Sequence, residues 1–594
     1  MSFHPNEVAR RGRVASAALF GGFVILLGAF FRTQVLQNAQ YVLQSESNRL
    51  REVPLPAPRG VIYDRAGRVI AENLPGYSVS MLSPRADSLI AVLHRLRETI
   101  PLTNEEIDAA VRRYRRSPNR PTAVLADASF DVISVLEEHR VQFPGLIIQA
   151  APKRYYPDGA AVAPFVGYTG EVTEGELGSR GYGSSRGYRS GQQIGKAGIE
   201  REYEDRLRGR EGTRFVEVDA RGRVVREAGA REDILPEAGP PLTTNIDMDL
   251  QRFVAHLFGD SLQGGAVALE PSSGAVLALY SAPSFDPNRF IGGIPADYWR
   301  DLNADPRRPL YNKVIQGRYP PGSTWKLATA TWALENGVAT LDDVMPTPCT
   351  GGFQYGNRLF HCWEKKGHGS LTLSQAIEKS CDVYFYQLGL KIGIARLVAG
   401  GVALNFRERT GIDLPGESAP IFPYSIDYYN REFGAGHWNS SVALNLAIGQ
   451  GENSQTIMSM ARFYEALATD GREARPTIVP RADTTRTRIF TLTDAQLGGL
   501  RSALAGVVAV GGTAAASQIQ GVTLAGKTGS AQNAEDPTRT HAWFVGFAPA
   551  DHPAIVVAVL LEFGGHGGRA AQVASKIVAH YLKVVPTSHL QTEG

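Results

Sequence analysis

Cysteine is almost missing from this chain of 594 residues: there are three, Cys349, Cys362 and Cys381, all in one stretch. An odd count of three permits one disulfide at most, which excludes a fold stapled by a framework of bridges. An excess of either charge is missing too. Lys and Arg number 62 against 59 Asp and Glu, a net charge of +3, so nothing in the overall balance points to nucleic acid. The basic run RRYRRSPNR at 112–120 reads as a solvated loop or helix face. Internal repeats and low-complexity tracts are absent. Long apolar runs are absent as well, with one exception.

That exception lies near the N-terminus. Val14 to Phe31 carries no charge and follows Arg10, Arg11 and Arg13. About 18 apolar residues just suffice to cross a bilayer as a helix. Arginines before the span belong on the cytoplasmic side, which places everything beyond Arg32 outside. No small-residue cleavage pattern follows, so the segment reads as an uncleaved signal anchor. The expected layout is a cytoplasmic tail at 1–13, a transmembrane anchor at 14–35 and a large periplasmic body, a single-pass protein of the cell (inner) membrane.

The body is too long for one domain. QNAQYVLQSESNRLREVPLPAPRG reads as a helix ending at a Pro-rich break, and RGVIYDRAGRVIAEN as a hairpin turning at Arg65-Ala66-Gly67. GKAGIEREYEDRLRGREG is the clearest helix of its region, and TRFVEVDARGRVVRE another hairpin. Nothing between 36 and 235 has a catalytic arrangement, so this part is expected to be a structural pedestal. LPEAGPP at 235–241 has the Pro and Gly of a linker. Over 242–586 the character changes. Strand-like runs (GGAVALEPSSGAVLALYSAP early; GVTLAGKTGSAQ, HAWFVGFAPADHP and AIVVAVLLEF late) enclose a helical middle. That pattern predicts an α+β fold, an antiparallel sheet covered by helices.

Chemistry concentrates at RYPPGSTWKLATATWALENG. Ser323 and Lys326 stand at i and i+3 of a helix, on one face, so the amine can reach the hydroxyl. Serine is a weak nucleophile until a base takes its proton, and a neutral lysine can be that base. Burial and a second cation both favour neutrality. Lys527 of the strand-like GKTGS is such a cation, Thr528 beside it can hold a carboxylate, and Gly529 leaves room for a substrate along the strand. The backbone N–H groups of Ser323 and Ser530 can form an oxyanion hole. Between these segments, Ser380-Cys381-Asp382 offers a second hydroxyl to relay a proton to a leaving amine. The spacing Gly317-Arg-Tyr-Pro-Pro-Gly322 imitates a phosphate loop, but Ser323 stands where lysine is required and two prolines remove N–H donors.

Ser-Thr-Trp-Lys, Ser-Cys-Asp and Lys-Thr-Gly-Ser resemble the three active-site motifs of penicillin-recognising serine transpeptidases. APRGVIYDRAGRVIAEN and GKAGIEREYEDRLRG resemble the pedestal of class B penicillin-binding proteins, and SVALNLAIGQGENSQT and HAWFVGFAP extend the likeness over nearly the whole chain. Asp382, where most of the superfamily has asparagine, fits the cell-elongation branch and favours a charged lysine beside it. The resemblance implies that Ser323 attacks the D-Ala–D-Ala bond of a peptidoglycan stem peptide and that a neighbouring stem's amine resolves the acyl-enzyme into a cross-link. Lys326 is then the base, Ser380 and Lys527 shuttle protons, and Thr528 binds the donor carboxylate or that of a β-lactam. The implied partners are a SEDS-family glycan polymerase, other elongation-complex proteins and the membrane, with no nucleic acid and no organic cofactor. A β-lactamase or β-lactam sensor shares two of the motifs but not the long pedestal. An idle scaffold that activates a glycan polymerase has no need of intact motifs.

The cysteines allow two readings. The order Cys349-x12-Cys362-x5-His368-x12-Cys381 supplies the ligands of a tetrahedral zinc site, with His361 as a substitute ligand; one disulfide plus one free thiol is the alternative. Metal-type ligands at corresponding places in the elongation branch favour a structural zinc, which here would brace Ser380 and Asp382.

Overall fold

The structure, a computed structural model, describes residues 5–38, 50–118, 120–179, 187–219, 224–226, 232–483, 485–533, 536 and 539–585. Helix α1 (Pro5–Phe31) continues into a wider turn, and within the stretch Ala9–Leu36 an apolar 18-residue window has a mean hydropathy of 2.3, none of it buried in protein. Among the described residues it is the one helix long and apolar enough to span a membrane. Its bare Leu19, Phe20 and Ile25 are the surface such a single-pass anchor presents to lipid.

The expected helix over 39–49 lies outside the described residues, but its end is corrected: Leu50–Leu55 is a strand, β1. Pro54 cannot sit inside a helix, whereas an edge strand tolerates it. The expected Arg65-Ala66-Gly67 hairpin is present as β2 (Ile62–Tyr63) and the start of β3 (Val69–Met81), with Gly67 at φ +84° in the turn. β3 is the spine of the pedestal. It pairs over Glu72–Met81 with β5 (Leu146–Tyr155) and over Tyr77–Met81 with β4 (Thr122–Ala128). The single helix expected in GKAGIEREYEDRLRG is two short ones, α2 (Gly198–Glu202) and α3 (Glu204–Leu207), meeting at Tyr203. Inward anchors on either side of the break explain it. Glu200 and Glu204 both reach Arg59, at 2.7 and 2.9 Å, while the Tyr203 hydroxyl donates to Asp413 of the catalytic domain at 2.7 Å. Strand β6 (Gly212–Val218) then pairs with β1.

Residues 235–241 do not form a free linker. Arg210 and Glu237 exchange backbone hydrogen bonds, Gly239 N–H donates to Pro58 O, and β7 (Leu242–Thr243) joins β2 in parallel. Unpaired backbone groups near a surface as close as this find partners, and the chain enters the second domain still tied to the first.

The catalytic domain is built on one antiparallel sheet in the order β9-β8-β12-β11-β10. Its strands are β8 (Gly264–Glu270) and β9 (Ala275–Ala282) from the start, and β10 (Ala525–Gln532), β11 (Thr540–Ala548) and β12 (Ile555–Leu561) from the end. The helical middle supplies α4 (Lys326–Glu335), α5 (Asp382–Ile392), α6 (Ile457–Ala468) and α7 (Asp494–Val508); α8 (Gly567–Leu582) closes the domain. Every residue of α6 is buried, as befits a helix enclosed on all sides. β10 is the edge strand and lies against the turn that carries Ser323.

Candidate active site

Ser323 sits in a tight helical turn, Gly322–Trp325, that leads directly into α4. Gly322 has φ +53°, and a side chain on Gly449 would come within 2.3 Å of its carbonyl oxygen. Only glycine at both places lets the two segments touch. Gly529 proves to have a different use from the expected one. A Cβ there would meet Pro321 O at 3.0 Å and Thr324 Cγ2 at 3.1 Å. The missing side chain makes room for the nucleophile's own turn, not for a substrate along the strand.

Lys326 is fully buried and its amine is saturated. Nζ donates to Asp382 Oδ1 at 2.8 Å and Ser380 O at 2.8 Å, with Ser380 Oγ at 3.3 Å. Among the described residues no hydrogen bond joins this amine to the Ser323 hydroxyl, which corrects the expected direct reach. The reason is a competition that a neutral hydroxyl loses to a carboxylate. These are the surroundings of an ammonium ion. Asp382 opens α5, where negative charge is favoured, and its Oδ2 accepts from the Trp363 backbone N–H at 3.2 Å.

Lys527 is fully buried on β10, and among the described residues its amine makes one hydrogen bond, Nζ to Thr528 O at 3.1 Å. Burial first, and the nearby charge of Lys326 second, push its pKa well below the usual lysine value; Asp382 opposes them. Burial and the neighbouring cation thus disfavour the charged form of the Lys527 amine. Thr528 is nearly buried and its Oγ1 lies 2.6 Å from Thr513 Oγ1. Ser530 is exposed, and its Oγ accepts from Gly567 N–H at the start of α8, 3.1 Å away.

Nothing in the sequence pattern marks Thr513 as part of the site. Lys379 was missed as well. Its Nζ donates to Gly511 O at 2.8 Å, tying that turn to the residue before Ser380. Both contacts join segments more than a hundred residues apart or across a turn, and local spacing holds no trace of them.

Cys349, Cys362, His368 and Cys381 come together, their ligand atoms all within 4.8 Å of one another. The thiols are unbridged. Cys349 Sγ and Cys362 Sγ each lie 3.6 Å from His368 Nδ1. Tetrahedral zinc with ordinary bond lengths puts sulfur and nitrogen ligands about 3.5 Å apart, so the donor set fits in kind and in size. The Cys381 thiol hydrogen-bonds to Cys362, which pulls Cys362 towards thiolate and pushes Cys381 up.

Comparison with known proteins agrees with this arrangement. The family model of the penicillin binding protein transpeptidase domain matches residues 264–580, and that of the penicillin-binding protein dimerisation domain matches 54–243. A peptidoglycan D,D-transpeptidase MrdA from Acinetobacter baumannii is 31% identical over 96% of this chain and 88% of its own. A solved complex between penicillin-binding protein PBP2 and MreC from Helicobacter pylori superposes with a TM-score of 0.79 at 28% identity, covering 90% of this chain and 99% of that one. A structure describing coordination of polymerization and crosslinking by a peptidoglycan synthase complex gives 0.69 at 28% identity, covering 96% and 98%.

Proposed function

The chain belongs to the class B penicillin-binding proteins of the PBP2 type, and from that premise we propose how its side chains perform the serine D,D-transpeptidase reaction. It is a peptidoglycan D,D-transpeptidase that cross-links stem peptides through a serine acyl-enzyme and binds β-lactams covalently. Ser323 Oγ attacks the carbonyl of the penultimate D-alanine, and its proton leaves for a neutral amine. The terminal D-alanine departs as an amine that takes a proton from the site. An acceptor amine then attacks the ester, and Ser323 regains its proton. Thr528 holds the donor carboxylate, with Ser530 beside it. Ser380 Oγ, in contact with Lys326, relays protons.

The observation that carries this reading is the convergence of the three motifs: Lys326 touches Ser380 and Asp382, and the strand of Lys527 and Thr528 packs on the Ser323 turn. The two lysines divide the labour. Lys326, held by Ser380 and Asp382 close to the nucleophile's turn, favours the developing alkoxide. Lys527 is the proton acceptor. Intact mass after penicillin treatment, with peptide mapping, tests the reading: one adduct on Ser323, long-lived, and none in Ser323→Ala. Rapid loss of the adduct would make the protein a β-lactamase, and full rescue of cell shape by Ser323→Ala would make it a scaffold.

Cys349, Cys362, His368 and Cys381 are proposed to hold a structural zinc, which would brace the backbone on both sides of Ser380. Elemental analysis of the purified protein tests this, with one equivalent of zinc expected. The anchor is proposed to place its arginine-flanked end in the cytoplasm and the catalytic domain in the periplasm, a topology that protease protection of spheroplasts reads directly. The H. pylori complex with MreC and the synthase complex support elongation-complex partners for this chain; among them we place a SEDS-family glycan polymerase.

A further inference from the structure

Trp363 stands out for what it spends. The residue is 54% exposed, so burial gives it little reason to stay in one place. Yet both of its N–H groups are committed to the Ser380 segment. The backbone N–H donates to Asp382 Oδ2 at 3.2 Å, and the indole Nε1–H is shared between Ser380 O and Lys379 O, each at 3.1 Å. The ring's position is set from behind by an edge contact with His368, 5.3 Å between centroids.

Ser380 is where this matters. It has φ +54°, a left-handed conformation that residues with a Cβ avoid. Such strain persists only where surrounding contacts over-determine it. A carbonyl oxygen accepts two hydrogen bonds, and those of Ser380 come from Lys326 Nζ at 2.8 Å and from the Trp363 indole. This backbone conformation is what leaves Ser380 Oγ 3.3 Å from Lys326 Nζ and starts α5 at Asp382.

We propose that Trp363 is a positioning residue of the transpeptidase: its indole N–H, together with Lys326, locks the left-handed Ser380 so that the relay hydroxyl stays poised for acylation. The inference rests on the proposed role of this site in acylation. The exposed ring is then explained as well. It is held where its N–H is needed.

The test replaces Trp363 in the full-length, detergent-solubilised protein with 3-benzothienylalanine, a fused ring of nearly the same shape in which sulfur stands in place of the N–H and the donor is lost. A fluorescent penicillin then resolves acylation into its binding constant and first-order rate. Loss of one hydrogen bond predicts a fall of about fivefold to tenfold in the acylation rate. The binding constant, the thermal midpoint and the metal content should match the parent protein. 7-Azatryptophan, which keeps the N–H, should restore the rate. An unchanged rate in the benzothienyl variant, or a loss that tracks the unfolded fraction, overturns the proposal. Failure of the parent protein to label at Ser323 would instead overturn the catalytic reading on which it rests.

Discussion

Two of the buried ionic centres among the described residues are built on opposite principles. In the pedestal, Arg59 meets Glu200 and Glu204 at 2.7 and 2.9 Å, Arg154 meets Glu200 at 2.6 Å, and the Tyr156 hydroxyl also donates to Glu200. Two guanidinium groups face two carboxylates. In the catalytic domain, Lys326 and Lys527 share the single carboxylate of Asp382, and Lys326 takes it at 2.8 Å. The even centre keeps its charges: burial alone would raise the Glu200 pKa, but Arg154 and Arg59 outweigh it and hold it below the usual carboxylate value. The odd centre is strained by its charges: burial and a neighbouring cation push the Lys527 pKa well below the usual lysine value. Balance makes a rivet, and imbalance makes a base.

The sharpest way to break the contrast is to remove the odd amine. Lys527→Met keeps the length and drops the nitrogen. Acylation by a penicillin should fall about 10²–10⁴-fold, the usual worth of a general base, as followed by stopped-flow labelling. Stability should move the other way. The folded pKa lies below the unfolded value of 10.5, so in the window between them the unfolded chain binds more protons and wild-type stability climbs with pH. The variant should therefore melt higher than wild type at neutral pH, with the advantage shrinking as pH approaches 10.5. Unchanged acylation would remove Lys527 from the reaction.

The even centre should fail in the reverse sense. Glu200→Gln leaves two buried guanidinium groups with one remaining carboxylate, and removing one member of a buried pair costs about 3–5 kcal/mol. Chemical denaturation should show that loss, while penicillin still labels Ser323 in the protein that remains folded. In the wild type the same carboxylate stabilises the fold above its unfolded pKa near 4.5, and this contribution is lost as pH falls below that value towards the lower folded one. A pedestal that melts no earlier at pH 3 than at pH 7 would contradict the account.

The contrast itself was only half legible in the sequence. Ser323, Lys326 and Lys527 stand in short motifs whose spacing follows from helix and strand geometry, and the strand runs at both ends of 242–586 predict the sheet. Glu200 and Glu204 lie in a stretch that reads as an ordinary charged helix, because their partner Arg59 is 141 positions away from Glu200. Gly529 was recognised for its missing side chain but matched to the wrong neighbour, since what fills that space comes from the turn at 321–324. The linker at 235–241 shows the same limit: composition reports which backbone could bend, and not which edge it binds. Long-range pairing decides each of these, and local pattern is silent on it.

The smallest expected effect is the most discriminating. Asp382→Asn takes away the carboxylate that raises the Lys527 pKa and anchors Lys326, while the amide still accepts a hydrogen bond from Lys326. Lys527 is then easier to deprotonate, so the acid limb of the acylation pH profile should move to lower pH. The plateau tells the two amines apart. If Lys527 is the proton acceptor and Lys326 the fixed charge, the variant has a weaker base and a less certain cation, and the plateau should fall by about tenfold or less. If Lys326 is the base, freeing it from its carboxylate should raise the plateau, and the division of labour between the two amines would have to be reversed.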